Sequence, residues 1–118
     1  MFQGTAISNM SYGLSVVEAM NQMQFDAMGI GNHEFAWGID VILNYFDGNL
    51  DNGEANFPLL NANIYDAETD SLLTVEGGNV FDSTIINREG IQVGLICYVG
   101  NVYSSISYDK AHNSEYPR

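Results

Sequence analysis

The feature that most constrains the fold is a short apolar run at residues 25–30, which ends in the sequence GNHEF at residues 31–35. The run is typical of a buried strand, and Gly31 indicates a turn directly behind it. Ligands of open α/β sheets bind beyond the carboxyl ends of the strands. Asn32 and His33 follow such an end. Because an amide oxygen can bind a hard metal ion and an imidazole can transfer a proton, the pattern predicts metal-assisted ester chemistry.

Helical and strand-like patterns alternate before the last third of the chain. Helices are predicted at residues 14–24, where apolar side chains recur at helical spacing, and at residues 39–46. Strands are predicted at residues 25–30 and 57–65. Two runs rich in Val, Ile and Phe flank a short turn that contains Gly, and they predict a β-hairpin: residues 79–87 and 91–99. This order predicts an α/β fold in which crossover helices join parallel strands and a hairpin adds antiparallel ones.

The length of 118 residues fits one small domain, predicted to have its core in residues 1–100 and a loop-like tail in residues 101–118. A βαβ arrangement requires a strand ahead of the first helix. The sequence before residue 14 has no such pattern, so we expect the domain to be incomplete. In the tail, His112 lies in a polar stretch that predicts a solvated loop.

The composition excludes several kinds of partner. Three basic residues stand against 15 acidic ones, and the net charge of −12 argues against binding of a nucleic-acid polymer, which requires basic side chains. No run of 18 apolar residues occurs, so no membrane span is expected. The single cysteine, Cys97, cannot form an internal disulfide, and its apolar surroundings predict a small core residue. The acidity alone does not specify a cation site.

Three separated segments carry a resemblance to a known family. They are FQGT at residues 2–5, DAMGIGNHEF at residues 26–35 and FPLLNANIY at residues 57–65. In order and spacing they resemble the 5'-nucleotidase and 2',3'-cyclic-nucleotide phosphodiesterase branch of the calcineurin-like metallophosphoesterases, to about Val99. The resemblance implies part of a metallophosphoesterase sandwich of two mixed sheets flanked by helices. It also implies two divalent metal ions (Mn, Zn, Co, Mg or Ca) that activate a water for attack on phosphorus.

The resemblance also implies roles for two residues. Asn32 would be a ligand to one metal ion, and His33 would be the catalytic imidazole that stabilises the transition state or assists the leaving group. The other metal ligands of the family lie in segments that would precede Met1 or follow Arg118. Many members carry Asp, paired with the catalytic His, where this chain has Ala36. Either Glu34 or a group outside the chain substitutes for that Asp, or His33 is less well oriented and its charged form is less well supported.

Two hypotheses about function follow. In the first, the chain is a fragment of a dinuclear-metal phosphoesterase that hydrolyses phosphate esters of nucleotides in the full-length parent. The isolated fragment would be inactive, because one amide ligand cannot hold two divalent ions tightly. In the second, the chain is a non-catalytic α/β binding module that forms homo-oligomers through exposed sheet edges. The chain itself indicates no compartment, although members of the family are often exported or attached to the cell envelope.

Overall fold

A three-stranded parallel sheet organises the molecule. The computed structural model describes Phe2, residues 4–100 and the backbone of Ser114–Glu115. The sheet contains, in spatial order, β1 (Met28–Gly29), β2 (Leu59–Leu60) and β4 (Val80–Phe81). The intervening strand β3 (Tyr65–Asp66) lies outside this sheet. Main-chain bonds continue beyond the paired residues, since Met28 N donates to the Pro58 carbonyl at 2.9 Å. The predicted α/β class with parallel strands is confirmed.

Two α-helices precede β1. α1 (Ala6–Met10) was not predicted from the sequence; its N-cap is Thr5, whose side-chain hydroxyl accepts a hydrogen bond from Ser8 N at 3.2 Å. α2 (Leu14–Gln22) lies in the predicted range and buries Val17 and Met20. Met23 was predicted on the same apolar stripe but is exposed, because the helix ends at Gln22 and the chain then turns away.

A helical crossover joins β1 to β2. α3 (Ile39–Leu43) continues into a 3₁₀ turn over Asn44–Phe46, so the predicted helix at residues 39–46 is present in two parts. It stops where predicted, with Gly48 at a φ of 82°. The buried side chains of the crossover belong to the same hydrophobic core as those of the sheet. The most deeply buried apolar side chains are Phe2, Val17, Ile42, Phe46, Phe57, Leu59 and Ile64.

A long antiparallel hairpin follows the parallel sheet. β5 (Ser83–Arg88) pairs with β6 (Ile91–Ile96) around a two-residue turn, in which Glu89 and Gly90 both have positive φ, at 52° and 85°. Positive φ at both turn residues matches the right-handed twist of a hairpin. The run 79–87, predicted as one hairpin arm, is divided, because its first residues pair with β2 as β4. The Arg88 guanidinium binds the Asp26 carboxylate at 2.6–3.2 Å and ties the hairpin tip to the residues before β1.

Two described residues of the predicted tail form a strand. β3 (Tyr65–Asp66) pairs antiparallel with β7 (Ser114–Glu115). The rest of the stretch predicted as a loop-like tail, including His112, lies outside the described residues. The division into a core at residues 1–100 and a tail stays a prediction. Within the part of the chain that the structure describes, no helix is long and apolar enough to cross a bilayer.

Candidate functional site

The sequence GNHEF forms a tight turn at the carboxyl end of β1. Ile30 N still donates to the Leu60 carbonyl at 3.1 Å, and a 3₁₀ turn over Asn32–Phe35 begins immediately afterwards. Asn32 is half-buried and His33 is exposed, whereas the next residue, Glu34, is buried. The turn therefore presents the two predicted site residues side by side at the edge of the sheet where ligands bind in α/β folds.

Glu34 is buried beneath this turn and bridges two parts of the chain. Its side chain is 1% exposed. Oε2 accepts a hydrogen bond from Gly31 N at 2.9 Å, and Oε1 accepts one from Phe2 N at 3.1 Å. The sequence suggests Glu34 only as a substitute for an acidic partner of His33. The contact with Phe2 spans 32 residues, and no local pattern could have predicted it.

Phe2 is held against the same turn by contacts of its own. Its carbonyl accepts a hydrogen bond from the Ser8 hydroxyl, and its ring lies 6.3 Å from that of Tyr45. The Phe2 side chain also packs on Gly13, where an added Cβ would lie 2.9 Å from the ring. Phe2 is thereby fixed beside the turn that carries Asn32 and His33.

Asn61 and Asn63, at the carboxyl end of β2, hold the backbone around the site. The Asn61 amide group donates to the carbonyls of Ile64 and Leu73 at 3.1 and 3.0 Å. Its oxygen accepts bonds from the main-chain N–H groups of Asn63 and Ile64. The Asn63 side chain bonds both the N–H and the carbonyl of Val99, at 2.9 and 2.8 Å. These asparagines, part of the third resembling segment, have structural roles.

Cys97 lies next to the start of the turn. Its thiol donates to the Ile30 carbonyl at 3.5 Å, and a Cβ added to Gly29 would lie 2.5 Å from its sulfur, so glycine is needed there. Burial raises the pKa of the Cys97 thiol, and the nearby negative charge of Glu34 raises it further. Cys97 is half-buried and does not belong to the buried core, contrary to the predicted core position. The thiolate is the nucleophilic form of cysteine, so this environment also disfavours a nucleophile.

The described residues offer a metal ion few ligands. Among the side chains of Phe2 and residues 4–100, no group of three or more His, Cys, Asp or Glu residues is arranged to hold one. Asn32 can supply one oxygen donor, which suits a hard divalent ion, whereas Glu34, Asn61 and Asn63 are directed at main-chain groups. Since such ions take several donors each, Asn32 could form only one side of a metal centre.

Comparisons with known proteins give a consistent result. No family model matches the chain. It is 39% identical over 97 residues to a snake venom 5'-nucleotidase of Crotalus adamanteus, covering 82% of this chain and 15% of that protein. It is 34% identical over 101 residues to the 2',3'-cyclic-nucleotide 2'-phosphodiesterase/3'-nucleotidase of Salmonella typhimurium, covering 84% of this chain and 14% of the relative.

A solved structure agrees with these sequence relatives. The 5'-nucleotidase precursor from Thermus thermophilus superimposes with a TM-score of 0.65 at 26% sequence identity, covering 83% of this chain and 17% of that one. The chain thus spans only 14–17% of the length of the three proteins.

Proposed function

Because the chain belongs to the 5'-nucleotidase and 2',3'-cyclic-nucleotide phosphodiesterase branch of the calcineurin-like metallophosphoesterases, we propose that it is one part of a dinuclear-metal phosphoesterase. The full-length parent would hydrolyse phosphate esters of nucleotides. The observation that carries the proposal is the turn at the end of β1, which places Asn32 and His33 next to each other at the sheet edge.

Each of the two residues has a proposed role in that reaction. When bound, two divalent metal ions supply Lewis-acid charge and an activated water. The side-chain oxygen of Asn32 is a ligand to one of them. The imidazole of His33 donates a hydrogen bond to the phosphoryl group as negative charge develops, or gives its proton to the leaving oxygen. Support for this division comes from the half-buried Asn32 and the exposed His33, which a substrate can reach.

The isolated chain is proposed to be inactive and to hold no pair of metal ions tightly. Calorimetric titration of the chain with Mn²⁺ and with Zn²⁺ should give only weak, unsaturated heats, and the chain should release no phosphate from nucleotides. Asn32→Ala is the control, because the diffuse charge of −12 attracts cations regardless of this residue. Stoichiometric binding of two ions that Asn32→Ala abolishes would overturn the proposed inactivity.

Self-association is the second candidate function, and the hairpin favours it. Cross-strand pairing places Ser83 with Ile96, Ile85 with Gly94 and Asn87 with Gln92 on one face, which we call the outer hairpin face. Ile85 and Ile96 are 70% and 74% exposed. None of these six residues is charged, although the chain carries a net charge of −12. A second copy of the chain could therefore approach this face with little like-charge repulsion.

The shape of the outer hairpin face also suits a second copy. A Cβ added to Gly94 would meet nothing within 4 Å, so open space lies beside Ile85. In a twofold dimer, Ile85 of each copy could fill the space over Gly94 of the other, because the same patch faces itself. The structure is also compatible with the predicted pairing of two copies through sheet edges, since β5 and β6 each have one strand neighbour among the described residues.

Ile85→Lys should abolish this association. Analytical ultracentrifugation over a wide concentration range should show a dimer for the wild type and a monomer for the variant, because lysine places two like charges at the twofold contact. Ile7→Lys is the matched control, since Ile7 is also an isoleucine, 73% exposed, but lies on α1. A monomeric wild type, or equal loss of association in both variants, would contradict a specific hairpin interface.

A further inference from the structure

We propose that Glu34 is a positioning residue for Asn32 and His33, and that it acts by joining their turn to the main chain at Phe2. The inference rests on the proposed function, which gives Asn32 and His33 their roles. It adds a reason why those two side chains hold their places. The bridge is formed by one carboxylate and two main-chain amides that are far apart in sequence.

The burial of Glu34 shows that its carboxylate depends on these amides. A buried carboxylate is costly unless hydrogen bonds replace its hydration. Each oxygen of Glu34 accepts a bond from a different main-chain N–H group, at 2.9 Å from Gly31 and 3.1 Å from Phe2. Hydrogen bonds to an ionised acceptor are stronger than neutral ones. Glu34 is thus a fixed point to which both amides are attached.

The Gly31 amide lies directly before Asn32. The N–H groups at the start of a short helical turn have no main-chain acceptor within that turn. Here the side chain of Glu34 accepts the hydrogen bond from one of them, Gly31 N. The main-chain hydrogen bond from Glu34 N to the Gly31 carbonyl is long, at 3.4 Å. The bond from Gly31 N to the Glu34 side chain is shorter, at 2.9 Å, and is therefore the closer link between the two residues. A Cβ on residue 31 would lie 3.0 Å from Oε2, and glycine allows the close approach.

The chemistry of the bridge requires glutamate. Glutamine has one oxygen, so its amide group would point an N–H donor at either the Gly31 or the Phe2 amide, which is also a donor. Aspartate keeps two oxygens but is one methylene shorter, so it cannot reach both amides from the same backbone. Replacement of Glu34 by glutamine should therefore break the bridge at one of its two ends, and so separate Phe2 from the turn at Gly31.

Nuclear magnetic resonance of the 118-residue chain tests the inference. In the wild type, the Gly31 and Phe2 amide protons should resonate downfield, as expected for bonds to a carboxylate. In Glu34→Gln both should move upfield, because the acceptor loses its charge, and whichever of the two amides then faces the N–H donor should exchange with solvent about tenfold faster relative to core amides, the factor for one lost hydrogen bond of about 1.4 kcal/mol. The Asn32 side-chain amide and the His33 ring signals should shift in the same variant.

Ser8→Ala is the matched control. Ser8 also holds Phe2, but through the Phe2 carbonyl, and within the described part of the chain none of its hydrogen bonds reaches the turn. We expect this variant to shift Phe2 while leaving the Asn32 and His33 signals in place. Equal shifts of those signals in both variants would show that Glu34 has only a general structural role, and would overturn the inference. So would ordinary amide shifts at Gly31 and Phe2 in the wild type, a result that does not depend on folding of the variant.

These measurements involve neither metal nor turnover. A negative result for Glu34 would therefore not contradict the proposed phosphoesterase function. If that function were disproved, the hydrogen bonds of Glu34 could still be measured in the same way.

Discussion

In the full-length parent, His33→Ala is expected to lower kcat by about 10²–10⁴-fold, while the bound metal stays near the wild-type amount. A fall in kcat of this size is expected when an enzyme loses a proton donor or one group that stabilises developing charge. His33 is exposed, so its truncation leaves no buried cavity and should not unfold the turn. The proposed metal ligand is the neighbouring Asn32, which explains why the metal should remain.

Steady-state phosphate release and metal analysis of the same preparation test this prediction together. Asn32→Ala should lose metal along with activity, and so separates the two roles. His112→Ala is the matched control, because it removes the other histidine of the chain, which the sequence places in a solvated loop. Loss of metal in His33→Ala would show that the assigned role is wrong. Unchanged turnover would show that the imidazole takes no part in the reaction.

The parts of the fold that the sequence predicted are those governed by local chemistry. The apolar run at residues 25–30 followed by Gly31 predicted the end of β1 and its turn, because burial and backbone freedom are both properties of neighbouring residues. The same holds for the hairpin turn at Glu89 and Gly90. The candidate site residues Asn32 and His33 could be proposed for this reason, before any tertiary contact was known.

The remaining features depend on contacts between distant segments. The Glu34 bridge to Phe2 joins residues 32 apart, and the sequence contains no periodic signal for it. The run 79–87 reads as one strand, yet β2 takes its first residues into the parallel sheet and β6 pairs with the rest. Similarly, Met23 fits the stripe of α2, but the end of the helix leaves it in solvent. Each difference is decided by packing that local pattern does not encode.

Asn61→Leu is expected to lower the free energy of unfolding by about 3–5 kcal/mol, a large fraction of the stability of a small domain. Asn61 is buried and its side chain makes four hydrogen bonds to the main chain. Leucine has a similar size and fills the space, but it leaves the Asn63 and Ile64 amides and the Leu73 carbonyl without this partner. The loss should therefore come from unpaired buried groups, with little contribution from a cavity.

Urea unfolding followed by circular dichroism measures the difference, provided that the slope against urea concentration is the same for both proteins. Asn44→Leu is the matched control: Asn44 is exposed, so the same change of side chain should alter the free energy of unfolding by no more than about 0.5 kcal/mol. A loss at Asn61 as small as that at Asn44 would mean that water or a shifted backbone can replace the four bonds. A large loss would show that the four bonds of Asn61 hold the segment after β2, at the same carboxyl edge of the sheet at which Asn32 and His33 follow β1.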